Sequence, residues 1–307
     1  MSSVFDRVAI LGVGLIGASI ALAARAAGAA EAIALYDIDA GVRARARALR
    51  LGEVFDDAQQ AAAGAALVIL AVPVGAMGPA MAAAAPALKP GAIVTDVGSV
   101  KRAAASAIAA HLPAHALLVP GHPIAGTERS GPDAGFAALF RGRWHILTPL
   151  ADARPAYGEA VDRLEAFWRA LGAEVERMDA ERHDIVLAVT SHLPHLIAFN
   201  IVAMAEDLES VTESEVVKFS ASGFRDFTRI AASDPTMWRD VFLNNRDAVL
   251  EVLGRFSEDL SALQRAIRWG DGAMLYDLFD RARRMRREVI EAGQDSPAPN
   301  WGRDEPS

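Results

Sequence analysis

Up to about residue 178 the chain alternates short, β-rich apolar runs with Ala-rich stretches of helical character. The runs are Val8 to Leu11, Ala32 to Tyr36, Leu67 to Leu70, Ala92 to Thr95, Leu117 to Val119, His145 to Thr148 and Ala173 to Arg177. That alternation predicts an α/β domain over residues 1–178, built on a doubly wound sheet. Beyond Asp179 a helical period takes over, with Ile185, Val186, Val189, Leu193, Leu196, Ile197 and Ile201 recurring at steps of about three and four. An all-α domain over residues 179–292 is expected, and its later stripes, among them Val249, Leu253, Leu260, Leu275 and Phe279, would be buried on each other or on a second subunit. Residues 293–307 mix Pro, Gly, Asp, Asn and Ser, and read as a loose tail.

A hydrophobic share of 52% with 23% charged residues in 307 describes a packed protein rather than a disordered one. The net charge of −8 argues against a nucleic-acid surface, so an anionic ligand would have to be met by individually aimed arginines. Cysteine is absent, which removes disulfides, thiolate metal sites and thiol nucleophiles together and fits a reducing compartment. The N-terminus enters a strand without a signal-peptide pattern. The Ala-rich tracts near residues 61–66 and 80–87 break well short of the roughly 20 apolar residues a membrane span needs. A cytoplasmic protein with neither nucleic acid nor membrane as a partner is expected.

Val8 to Leu11 runs into Gly12-Val13-Gly14-Leu15-Ile16-Gly17, and a helical stretch follows. In that setting the first glycine permits a tight turn, the second lets backbone approach a pyrophosphate, and the third allows close helix-to-strand packing. Asp37 follows Gly17 by 20 residues at the end of the second run, where a carboxylate hydrogen-bonds ribose hydroxyls and repels a 2′-phosphate. The pattern predicts a Rossmann-type domain that binds NAD in preference to NADP. Arg43 could in principle receive a 2′-phosphate, but with Arg45 and Arg47 it reads as part of a solvated helix face.

Ligands of such sheets bind outside the carboxyl ends of the strands. Three segments stand there: Ala71-Val72-Pro73, Asp96-Val97-Gly98-Ser99-Val100-Lys101, and Gly121-His122-Pro123. The last begins a stretch, Gly121 to Gly131, that reads as a glycine-bounded loop holding an imidazole near a ligand. Each has a plain structural reading as well: Ser99 as a helix N-cap, Asp96 as a turn former, His122 as a packed histidine. Together, a hydroxyl and an imidazole beside a nicotinamide make a proton-handling pair.

With Gly121-His122-Pro123-Ile124-Ala125-Gly126-Thr127-Glu128, Thr190 to His195, Gly223 to Ala231 and Asp234 to Trp238, these segments resemble the prephenate/arogenate (cyclohexadienyl) dehydrogenase family of tyrosine biosynthesis. The resemblance implies an NAD-linked oxidative decarboxylation of prephenate, arogenate or both, by a homodimer joined through its C-terminal helices. It implies His122 as proton acceptor and Ser99 as the group that orients the substrate hydroxyl. Gly12, Gly14, Leu15, Ile16, Gly17, Asp37, Val72, Pro73 and Ser99 would line the cofactor. Arg229 would pair the ring carboxylate, with Arg225, His192 and Glu128 also toward the substrate. Arg225 and Arg229 share a face if their segment is helical, and Pro194 should kink its helix. No metal is expected, since His192 and His195 have no evident third ligand. The alternative is another two-domain NAD(P) oxidoreductase, a β-hydroxyacid dehydrogenase or imine reductase. Those β-hydroxyacid enzymes use a lysine on the helix after the nucleotide domain, and this chain has none between 102 and 217.

Overall fold

The computed structural model describes residues 3–127, 129–212 and 221–291, with backbone alone for 208–212. The chain forms two compact units, residues 1–249 and 250–307. In the first, strands β1 (Phe5–Leu11), β2 (Ala30–Tyr36), β3 (Glu53–Val54), β4 (Leu67–Leu70), β5 (Ile93–Asp96) and β6 (Leu117–Leu118) make a six-stranded sheet. All its pairings are parallel, in the order β3-β2-β1-β4-β5-β6. This is the dinucleotide-binding order, which reverses between β1 and β4.

Helices α1 (Leu15–Ala27), α2 (Ala40–Ala48), α3 (Ala58–Ala62), α4 (Met77–Ala84), α5 (Arg102–Ala109) and α6 (Pro155–Ala170) accompany the sheet. Alternate residues of β1 and β4 enter different cores. Val8, Ile10, Leu67 and Ile69 pack with Ile20 of α1 and Leu164 and Trp168 of α6. Ala9, Leu11, Val68 and Leu70 pack with Ala61 of α3, Met81 of α4 and Ile108 of α5. Burial on both faces is why these strands read as continuous apolar runs.

A second, three-stranded sheet joins β7 (Gly121–Pro123) antiparallel to β8 (Trp144–Leu147) and β8 parallel to β9 (Glu174–Arg177). His122 therefore lies in a strand, opposite Ile146, and not in the loop its glycine neighbours suggested. Strand β6 ends at Leu118, and after Pro120 the chain pairs with β8 from Gly121.

Helix α7 (Ala180–Leu187) is capped by Asp179, whose carboxylate accepts from Arg182 N at 2.7 Å. It continues through a π-helical turn (Ala188–His192) into α8 (Leu193–Thr212). The irregularity expected at Pro194 thus takes the form of a π turn ending two residues before it. The short helix Ser222–Thr228, a 3-10 turn Arg229–Ala232 and the helix Pro235–Asn244 follow. Helix Arg246–Trp269 runs out of the first unit, and helix Gly272–Glu291 belongs to the second.

Candidate active site

The glycine fingerprint is sterically explicit. Gly12 has φ +97°, and a Cβ there would lie 2.3 Å from the Ala71 carbonyl oxygen; one on Gly17 would lie 2.0 Å from that of Gly12. Gly14 is different, since a Cβ would meet nothing within 4 Å. Its backbone, the N-cap of α1, faces open space where a pyrophosphate can meet the helix N-terminus. Leu15 and Ile16 open that helix, and Val72 and Pro73 follow β4 next to Gly12. The Asp37 carboxylate accepts from Val13 N at 2.8 Å and Asp39 N at 3.0 Å, which locks it between the glycine turn and α2 with lone pairs left for a ribose. These residues fit NAD.

Arg43 is not part of a solvated helix face, since its side chain is only 15% exposed. It bonds Asp56 at 2.9 Å and the carbonyls of Asp37 and Ile38 at 2.8 and 3.0 Å, which clamps the turn that presents Asp37.

Buried His122 is the end of a hydrogen-bonded chain. Its Nδ1 is 2.9 Å from His183 Nε2, and His183 Nδ1 is 2.9 Å from Asp184 Oδ1. The ionised Asp184 can only accept, so the ring proton of His183 lies on Nδ1 and its Nε2 accepts from His122 Nδ1–H. His122 Nε2 is left with a bare lone pair, the form a general base requires. Burial, foremost, then the neighbours His183, Lys101, His145 and His192, hold His122 well below the usual histidine value of 6.5. His183 is lowered by burial against the pull of Asp184. At Asp184 burial opposes ionisation, but bonds from His183 and from the Lys101 and Arg102 amides outweigh it and lower the pKa.

Ser99 is not the cap of α5. Asp184 takes that role from another helix, accepting from Lys101 N at 2.7 Å and Arg102 N at 3.0 Å. Half-buried Ser99 instead has its backbone beside the His192 ring. Asp96, read from sequence as a turn former, is fully buried and bonds Lys101 Nζ, Gly98 N at 2.9 Å and Gly121 N at 3.3 Å.

His192 is fully buried, and Asn245 Nδ2 lies 3.1 Å from its Nδ1 and 2.9 Å from the Asp184 carbonyl oxygen. With Asn245 donating to both, His192 carries its proton on Nε2, a buried donor beside the Ser99 backbone. Burial lowers its pKa to about 4. Half-buried His195 stacks on Trp238, a core residue, at 3.7 Å. The pKa of His195 is lowered by burial foremost and also by Arg229; Arg229 is itself exposed, as is Arg225 on the helix that ends one residue before it. Arg229, the C-cap of that helix, donates its N–H to the Arg225 carbonyl oxygen, so the two stand one α-helical turn apart, as expected for a helical segment. Glu128 lies outside the described residues. No group of acidic, histidine or cysteine side chains suited to a metal occurs among the described residues.

Sequence reasoning missed His183, Asp184 and Asn245, and gave Lys101 no role. The one available signal was the His183-Asp184 pair at the head of an otherwise apolar helical stripe.

A doubly wound sheet with a dinucleotide cradle at its strand ends, and a neutral imidazole on the strand that follows its last one, is the plan of a nicotinamide-linked dehydrogenase. Similarity to known proteins specifies which kind. Residues 20–177 match the nucleotide-binding domain model of prephenate dehydrogenase and residues 179–281 its dimerization domain model, and the chain belongs to the prephenate dehydrogenase family. It is 46% identical to a cyclohexadienyl dehydrogenase of Zymomonas mobilis, over 92% of this chain and 96% of that protein. It is 33% identical to a prephenate dehydrogenase of Bacillus subtilis, over 93% and 76%. A crystal structure of prephenate dehydrogenase from A. aeolicus, in complex with hydroxyphenyl propionate and NAD+, superposes with a TM-score of 0.85 at 33% identity, covering 92% of this chain and 98% of that one.

Proposed function

We propose that the chain oxidises prephenate with NAD to 4-hydroxyphenylpyruvate, carbon dioxide and NADH, and that arogenate is accepted in the same site. The observation that carries the reading is the bare Nε2 of His122, set by the Asp184–His183 chain. NAD, when bound, supplies a hydride acceptor for the ring carbon that bears the hydroxyl. His122 Nε2 takes the hydroxyl proton as that carbon becomes a carbonyl. Loss of the ring carboxylate as carbon dioxide then yields an aromatic ring, with the carbonyl oxygen becoming a phenolate that recovers the proton from His122. Ser99 orients the hydroxyl, and the buried Nε2–H of His192 donates to a substrate oxygen. A purified sample mixed with NAD and either acid should generate the absorbance of reduced nicotinamide. No signal with both would overturn the reading.

Arg229 meets the ring carboxylate, where a planar guanidinium offers two parallel donors. Arg229→Ala should raise KM between about tenfold and about 10²-fold, with a smaller change in kcat. Arg229→Lys should recover only part of the loss. An unchanged KM in steady-state assays would place the carboxylate elsewhere.

The helical region from residue 179 onward serves as the dimer contact. Helix Ala180–Asp207 is long and apolar enough to cross a membrane by length and composition alone. Its first turns, however, engage the nucleotide-binding domain through His183 and Asp184, and Ile185, Val189 and Met204 are left 43%, 52% and 52% exposed. A second copy would cover such a face.

A further inference from the structure

One buried ion pair is unused by this chemistry. Lys101 and Asp96 have fully buried side chains and bond each other. The Lys101 ammonium also donates to the carbonyl oxygen of Gly121, the residue before His122. Asp96 accepts from the amides of Gly98 and Gly121, and the Lys101 amide donates to Asp184. The turn that carries Ser99, the strand that carries His122 and the helix that carries His183 and Asp184 therefore meet at this pair.

An ion pair removed from water is a weak stabilising device, because desolvation offsets most of its attraction. Its value here is directional, since bonds from the two side chains tie the turn at Gly98 to the strand at Gly121. Gly121 leaves no slack, since a Cβ there would lie 2.6 Å from His145 Nε2. We propose that Lys101 is a positioning residue for the proton acceptor, its ammonium gripped by Asp96 and fixing the Gly121 carbonyl, and with it the place of His122 relative to Ser99. The proposal rests on the reading of His122 as the base.

The same charge has an electrostatic consequence. His122 is faced by His183 and Asp184 from α7, His192 from the π turn, His145 from β8, and Asp96 and Lys101 from the end of β5 and the turn after it. Lys101 disfavours a second cation beside it. A base works only when neutral, so the acid limb of kcat/KM falls at its pKa, which lies below 6.5 in the native protein. Removing the ammonium should move that limb upward.

The test compares Lys101→Met and the charge-neutral Asp96→Asn/Lys101→Met with the native enzyme and His122→Asn. The expected result is a kcat/KM lower by roughly 10²-fold, carried by kcat, in both lysine variants. NAD affinity, read by tryptophan fluorescence, should stay within about threefold, and the acid limb should shift toward neutrality. The double variant covers the case in which the single substitution leaves Asp96 charged and unpaired and prevents folding. Folded variants with native rates and an unmoved acid limb would overturn the proposal, and so would failure of both variants to fold, which would make Lys101 a determinant of the fold instead. Full activity in His122→Asn would overturn the reading of the base itself, and is read separately.

Discussion

Replacing His122 by asparagine should lower turnover by about 10²- to 10⁴-fold, the usual range for loss of a positioned general base. The substitution is well matched to the site. An asparagine amide nitrogen stands near the position of imidazole Nδ1, so it can still donate to His183 Nε2, which lies 2.9 Å from His122 Nδ1 in the native chain. Strand β7 keeps its pairing with β8, because those bonds are made by backbone. Only the Nε2 lone pair is lost. NAD binding should be unchanged, since the cradle at Gly12, Gly14 and Asp37 is built by other elements. KM for prephenate should rise little, and the residual rate should lose its acid limb. Fluorescence titration with NAD and a pH series of steady-state rates measure all three. Turnover within about threefold of native, with the acid limb in place, would remove His122 from the chemistry.

The fingerprint was legible because its constraints are local. Gly12, Gly14 and Gly17 are dictated by contacts within one strand-turn-helix, and Asp37 by the next strand end. The doubly wound sheet was legible too, since burial on both faces writes a continuous apolar run into each strand. What escaped detection depends on contacts between distant segments. His183 meets His122 across 61 positions of sequence, and Asp184 caps a helix 82 positions earlier. Neither leaves a periodic trace. The strand at His122 was hidden by its own composition, because Gly121 and Pro123 mark loops in most settings and β7 is only three residues long. Lys101 stood inside a motif already singled out, yet a lysine after a turn reads as solvent-facing until the fold closes over it. Arg43 shows the reverse error: grouped with Arg45 and Arg47 as a solvated face, it is held by the carbonyls of the cofactor turn.

Asp184→Asn should be nearly as costly as removal of the base, by a different route. All three bonds to the carboxylate are donated to it, by His183 Nδ1–H, Lys101 N and Arg102 N. An asparagine has one acceptor oxygen and must choose. With the oxygen facing His183 and Lys101, its NH2 opposes the Arg102 amide, a donor against a donor at the start of α5, and stability falls. With the NH2 facing His183, it opposes the Lys101 amide, so stability falls here too, and the His183 ring must accept at Nδ1 and carry its proton on Nε2. His183 then donates to His122 Nδ1, and the proton of His122 is displaced onto Nε2, where the lone pair was needed. Where an acid-to-amide swap reverses the tautomer of a catalytic imidazole, turnover falls by about 10⁴-fold with the geometry intact. Tm should fall in either orientation, so kcat separates the two outcomes. A collapsed kcat marks the reversed tautomer, and a smaller loss of kcat marks the orientation that keeps the His183 bond. Native Tm and kcat together would show that the Asp184–His183 chain does not govern the proton on His122.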